Sequence, residues 1–281
     1  MLRLADSNDA HLMILGLRLD DLTPEVLAGY RHCPTVPSFA ALLAAPVELV
    51  AAVAPALAAD LAAAGPRLRA ELPASGGALV ILVPYKPPPS EAMRGDGFVD
   101  SFLASAPLLR AIGAARRDPP LETLCYRVLS AVASGEACVD RLLVRQLPND
   151  AARPVPAAIS DARAAVIMPH RGNIRHLETA LRYLGKSTGM PLSVRVGLDV
   201  ERPAVYRPLA GAPAEFYAAH PAGCGPYVIR QALINRSLEA ALVWQDSDDI
   251  PCADRFVTLW SEIESSGCDL AGSHELRLNE L

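Results

Sequence analysis

The amino-acid sequence predicts an α/β protein of two units, a helix-rich α/β region over residues 1–157 and a largely parallel sheet flanked by helices over 158–281. Three observations carry this reading. The chain has 281 residues, long for one domain when about 150 is ordinary. The stretch 147–165, LPNDAARPVPAAISDARAA, places three prolines and several charges between more regular regions, as interdomain linkers do. Beyond it, short apolar runs alternate with capped amphipathic helices, the pattern of parallel strands joined by helical crossovers.

In the first region, residues 11–17 form an apolar strand, and Thr23-Pro24-Glu25 is a helix start with proline in the first turn. The apolar stretch from Phe39 to Ala64 is interrupted by Pro46, Glu48, Pro55 and Asp60, so it reads as buried helices and not as a transmembrane segment. A second strand covers 78–83, after Gly76-Gly77 and before Pro84. Helical patterns cover 98–115 and, after Pro119-Pro120, 121–146. Two or three strands are therefore expected here, and no chemical motif. Lys86, the Arg94-Gly95-Asp96-Gly97 turn and Arg116-Arg117 read as solvated charge.

In the second region, Ala164–Met168 is a strand, and Asn173 caps a helix with Ile174, Leu177, Leu181 and Leu184 on one face. Leu192–Val200 is the next strand. Gly225-Pro226 opens a helix that places Ile229 and Leu233 one turn apart, and Ala241–Trp244 is a buried strand. Pro251 starts a helix with Phe256, Leu259, Trp260 and Ile263 inward, and 268–276 is the last strand. Ligands of such a sheet sit at the carboxyl ends of its strands.

Composition narrows the function. Net charge is −5 and aromatics make up 5% of the chain, so neither a nucleic-acid electrostatic footprint nor a base-stacking platform is expected. The six cysteines show no CxxC pair, and acid follows the first residues before an apolar core forms. Reduced thiols and a cytoplasmic location are expected.

Asp246, Asp248 and Asp249 lie directly after the Ala241–Trp244 strand. Three carboxylates so close repel one another unless something cationic sits among them, and a divalent metal is the usual answer. Oxygen ligands favour magnesium, manganese or calcium, and a metal held by one or two carboxylates keeps positions for phosphate oxygens. The plainer alternative is an acidic turn capping the following helix, worth about 0.3–1 kcal/mol for one carboxylate.

Residues 165–281, about two fifths of the chain, resemble the nucleotide-binding half of a family-2 inverting glycosyltransferase of the GT-A (Rossmann-like) fold. The matching segments are AAVIMPHRGN, VRVGLD, GCGPYVIRQALINRS, ALVWQDSDDIPCADRF and SSGCDLAGSHELRLNE, in the family's order. The resemblance implies a nucleotide-diphosphate sugar as donor, an acceptor of unknown class, and a manganese or magnesium ion. It puts Pro169 and Arg171 beside the base, Asp199 on the base edge, Arg230 near the ribose or diphosphate, and Asp246 toward the ribose. Asp248 then faces the metal, with Asp249 in support. Each residue has a plainer reading: Arg171 a surface loop residue, Asp199 a strand-end cap, and Arg230 a helix-surface residue paired with Glu239 or solvent. His170 and His176 read as polar surface residues.

Sugar transfer leaves a charged diphosphate that a metal stabilises as a Lewis acid, and inversion needs a general base. In the family that base lies well downstream of the DxD motif, whereas residues 250–281 are all that follow Asp249 here. The late candidates are His274, Glu275 and Glu280, none in a recognisable motif, so the catalytic base is unassigned. Donor binding without efficient transfer is expected. The alternative is a non-catalytic nucleotide-sugar-binding module or a fragment of a longer transferase. An aspartyl phosphatase of the haloacid-dehalogenase type needs more chain after its motif. A calcium loop needs a glycine at its turn and a glutamate at its end, and both are missing.

Overall fold

A computed structural model describes residues 1–4, 13–54, 57–73, 77–84, 101–113, 121–137, 139–147, 156–200, 203–209, 212–218 and 221–273. The chain divides into two compact units, Met1–Val155 and Pro156–Leu281. The class is mixed α/β: the first unit holds a mixed seven-stranded sheet and the second a parallel four-stranded sheet of Rossmann-like character.

The first unit runs β1 (Leu2–Leu4), β2 (Met13–Leu17), α1 (Pro24–Ala28), β3 (Thr35–Val36), α2 (Phe39–Ala44), β4 (Leu49–Val53), α3 (Ala58–Glu71), β5 (Ala78–Pro84), β6 (Ser101–Ser105), α4 (Ala106–Ala111), α5 (Leu121–Ala133) and β7 (Arg141–Leu147). The strand order is β3-β1-β2-β4-β6-β5-β7. Three stretches expected as continuous helices each contain a strand. Leu49–Val53 lies buried between β2 and β6, and a run buried on both faces has no periodicity to separate strand from helix. Ser101–Ser105 precedes α4, and its two serine hydroxyls accept the Ala54 and Ala78 amides of neighbouring segments. The helix from Leu121 ends at Ala133, just before Gly135 at φ 76°, and β7 follows. The buried Glu71 carboxylate ties α3 to β7 by accepting Arg145 Nε at 2.8 Å, with Arg67 Nε at 2.7 Å on its other oxygen. Thr23 caps α1 as its sequence predicts, its hydroxyl accepting the Val26 amide.

The second unit runs β8 (Ala164–His170), α6 (Ile174–Leu184), β9 (Leu192–Leu198), β10 (Ala214–Ala218), α7 (Pro226–Ile234), β11 (Ala241–Trp244) and α8 (Arg255–Ser266). The order is β10-β9-β8-β11, every pair parallel. The first strand is thus internal: the chain leaves β8 for β9 on one side and reaches β11 on the other. Ala164, Val166 and Met168 of β8 pack with Leu177, Leu181 and Leu184 of α6 and with Phe256 and Val257 of α8. The opposite face carries Ala165 and Ile167 against Ile229 and Leu233 of α7. That helix approaches so closely that a Cβ on Gly197 would lie 2.1 Å from Ile229 Cγ2, so only glycine fits there.

Three expectations change in this unit. Strand β10 has no counterpart in the sequence reading, the helix after the acidic motif starts at Arg255 and not at Pro251, and residues 268–273 carry no strand. Residues 274–276 of that expected strand lie outside the described residues. Among the described residues no helix is long and apolar enough to cross a membrane.

Arg195, mid-strand in β9 and 9% exposed, anchors the segment between α7 and β11. Its Nη2 pairs with Glu239 at 2.8 Å and its Nη1 donates to Ser237 Oγ at 3.2 Å. Hydrogen bonding to Arg195 holds the Glu239 carboxyl down at about 2. A carboxylate depressed on folding stabilises fully above its unfolded value and is lost as pH falls through its folded value. Stability should therefore decline between about pH 4.5 and 2 partly through this pair, and Glu239→Gln should flatten that limb in urea unfolding across the range. An unchanged limb would remove the pair from the acid response.

Candidate functional site at the carboxyl edge of the parallel sheet

The carboxyl ends of β8, β9 and β11 bring together most of the residues singled out in the sequence. The ladder between β8 and β11 ends with the Gln245 amide donating to the Ile167 carbonyl at 3.3 Å. The next rung would need an N–H from residue 169, which is proline, so the backbone ladder stops there. The gap lies between the first strand and its neighbour across the change of direction, where open α/β sheets bind ligands.

Its floor is polar and buried. His170, expected at the surface, is the last residue of β8 and 2% exposed, because it pairs into the sheet opposite Leu198 before the chain turns. Its Nδ1 lies 2.8 Å from Ser247 Oγ and its Nε2 3.0 Å from Tyr206 Oη, and Tyr206 donates to the Gly172 carbonyl at 3.1 Å. Burial pushes the His170 pKa down, with His176 adding to the shift, against Asp248 and the Gly172 carbonyl. The ring is neutral near pH 7. His176 itself is exposed, as expected.

Asp199 follows β9, is 4% exposed, and donates its own amide to the His170 carbonyl at 2.8 Å. Its carboxylate is a cap. Oδ1 accepts the Gly223 amide at 2.5 Å and the Cys224 amide at 3.1 Å, while Oδ2 accepts Gly225 at 3.1 Å. Gly223 and Gly225 take φ of 81° and 88°, the left-handed backbone that lets consecutive amides turn toward one anion and open α7. The Cys224 thiol also approaches Oδ1 at 3.9 Å, so with about two acceptor positions per oxygen the one left for a ligand is on Oδ2.

Arg230 on α7 reaches Asp246, Nη2 to Oδ1 at 2.7 Å. Its guanidinium sits 5.8 Å from the Tyr227 ring centre and 5.7 Å from that of Trp244, so two aromatic faces steady the cation. The partner foreseen as an alternative, Glu239, belongs instead to Arg195. Asp246, Asp248 and Asp249 are all exposed, whereas Gln245 and Ser247 point inward. Gln245, 2% exposed, donates through Nε2 to the Asp246 and Asp249 carbonyls at 3.0 and 3.2 Å, and its Oε1 accepts from Arg255 Nη1. Burial lowers the Arg255 pKa, while Asp249, Cys252 and Asp246 oppose that shift.

Among the described residues, the guanidinium groups of Arg230 and Arg255 bring positive charge to the acidic residues. Among the described residues no set of three or more His, Cys, Asp or Glu side chains is arranged to hold a metal ion. The exposed Asp248 and Asp249 are oxygen donors suited to manganese or magnesium, with most of the coordination shell left to come from a ligand's phosphates. Arg171 is exposed beside Gly172, and Asn173 caps α6 by accepting the Arg175 amide at 3.0 Å. His274, Glu275 and Glu280 lie outside the described residues.

Tyr206, Gln245, Ser247 and Arg255 were given no role in the sequence reading, and His170 was read as a surface residue. A signal for His170 was present, since it ends a run of buried apolar residues; Gln245 follows β11, which was expected to be buried but whose residues are half-buried or exposed. No protein-family model matches the chain, and no curated protein matches it.

Replacing Asp199 with alanine strips three amides of their acceptor, a loss of about 1–3 kcal/mol on the scale of an unsatisfied buried group. Amide exchange at Gly223, Cys224 and Gly225 should speed markedly in Asp199→Ala while the β8–β9 ladder stays protected. Unaltered protection at those three amides would show that the carboxylate does not hold the turn.

Proposed function

We propose that the second unit binds a nucleotide-diphosphate sugar at this edge, as the donor half of an inverting, GT-A-type glycosyl transfer in the cytoplasm. The observation that carries the reading is the gathering, at the gap beside Pro169, of a capped glycine turn, a steadied arginine and an exposed acidic turn. The resemblance of residues 165–281 to family-2 glycosyltransferases supports it, since four of the five matched segments supply residues of this edge.

In this reading the base lies along Pro169 and Arg171, with its edge against the last acceptor position of Asp199. Asp246 faces the ribose, and Arg230 shifts from Asp246 toward the diphosphate, whose charge it offsets. Asp248 and Asp249 would hold manganese or magnesium together with phosphate oxygens, and that ion supplies Lewis-acid stabilisation of the leaving diphosphate. The buried His170 and Gln245 keep the acidic turn in place, so the carboxylates need little reorganisation when ligand arrives. No described residue is assigned as the acceptor's base. A nucleotide-sugar-binding module without transfer is the second reading, favoured by that unassigned base.

Calorimetric titration of the full chain with uridine diphosphate, with and without manganese, tests the binding claim. Affinity should rise at least about tenfold with the metal, a difference of about 1.4 kcal/mol, and Asp248→Asn should remove most of the gain. Equal affinity with and without manganese would remove the metal, and no binding in either condition would overturn the nucleotide reading.

A further inference from the structure

Deepening that reading, on whose site it rests, we propose that His170 is the positioning residue of the acidic turn, acting through Ser247 in one fixed tautomer. Ser247 stands between Asp246 and Asp248, and the three alternate: the two aspartates are exposed and the serine is 9% exposed. Only Ser247 turns inward, and the group it meets is His170 Nδ1 at 2.8 Å. Fixing Oγ of the middle residue sets which way its two neighbours face.

The proposal corresponds to one order of protons. Tyr206 donates to the Gly172 carbonyl, an acceptor only, so the phenol oxygen is left to accept from His170 Nε2–H. Nδ1 is then bare and accepts from the Ser247 hydroxyl. Every member of the chain is satisfied, and the buried, neutral ring suits it. His170 also joins the two sides of the gap. Its carbonyl accepts the Asp199 amide at 2.8 Å while its ring holds Ser247, so the glycine-turn cap and the acidic turn hang on one residue at the end of β8.

A residue in this role touches no reacting atom and is replaceable by any side chain that presents an acceptor where Nδ1 stands. Asparagine does so through Oδ1, whereas glutamine places its amide nearer to Tyr206 and leaves Ser247 unpartnered. The test uses the full chain and three variants, His170→Asn, His170→Gln and Ser247→Ala. Two quantities are measured: amide exchange of residues 245–249 without ligand, and affinity for uridine diphosphate with manganese. His170→Gln and Ser247→Ala should speed exchange in the turn about tenfold, as the loss of one buried hydrogen bond implies, and weaken the nucleotide by a similar factor. His170→Asn should restore both to within a few-fold of the unaltered chain.

Equal impairment in His170→Asn and His170→Gln would overturn the proposal, as would Ser247→Ala exchanging like the unaltered chain. Should His170→Gln lose protection throughout β8 and β9, the milder Ser247→Ala decides alone. If the unaltered chain does not bind uridine diphosphate, the nucleotide reading fails, while the exchange pattern still settles whether His170 positions the turn.

Discussion

The site depends on a missing hydrogen-bond donor. Proline at 169 cannot supply the N–H that would continue the β8–β11 ladder past the Gln245–Ile167 rung, so backbone pairing stops at the carboxyl ends of the two strands. On its other side β8 keeps pairing with β9 through His170, and the Asp199 amide closes that ladder on the His170 carbonyl. One strand thus stays paired further along one flank than along the other. The gap is lined by whatever follows β11, and here that is the acidic turn.

What lines the gap is balanced internally. Arg230 lies against Asp246, the Asp246 and Asp249 charges act on Arg255, and Gln245 bonds both Arg255 and the backbone of the turn. The sequence argument asks for positive charge among the three carboxylates, and the fold brings two arginines to the motif, sixteen residues before and nine after Asp246. The turn is therefore shaped by the protein itself. A metal at Asp248 would act together with ligand phosphates and would not be needed to hold the turn.

The second unit was more legible than the first for a physical reason. Its first helix carries a side-chain cap and a one-sided apolar face, Asn173 with Leu177, Leu181 and Leu184, and helices separate most of its strands. In the first unit, alanine-rich strands such as Leu49–Val53 are buried on both faces and read locally as helix, so long-range pairing with β2 and β6 decides their state. Breakers held part of the answer: Pro46 and Pro55 leave too short a run for a helix, and Pro107 sits in the first turn of α4, inside the helix expected over 98–115. At the edge of the parallel sheet, the acidic turn was legible from its residue types and its place after a strand, whereas Asp199 and Arg230 were singled out through the family resemblance. The His170–Ser247 contact joins residues far apart in sequence, and no local pattern announces it.

The central claim is that the gap beside Pro169 is where a nucleotide diphosphate enters. Amide chemical-shift mapping of the full chain during titration with uridine diphosphate and manganese tests it most directly. The account predicts perturbations at His170 to Asn173, Asp199, Gly223 to Gly225 and Gln245 to Asp249, with the amino ends of β8, β9 and β11 unmoved. Shifts confined to those amino ends or to the first unit would contradict it.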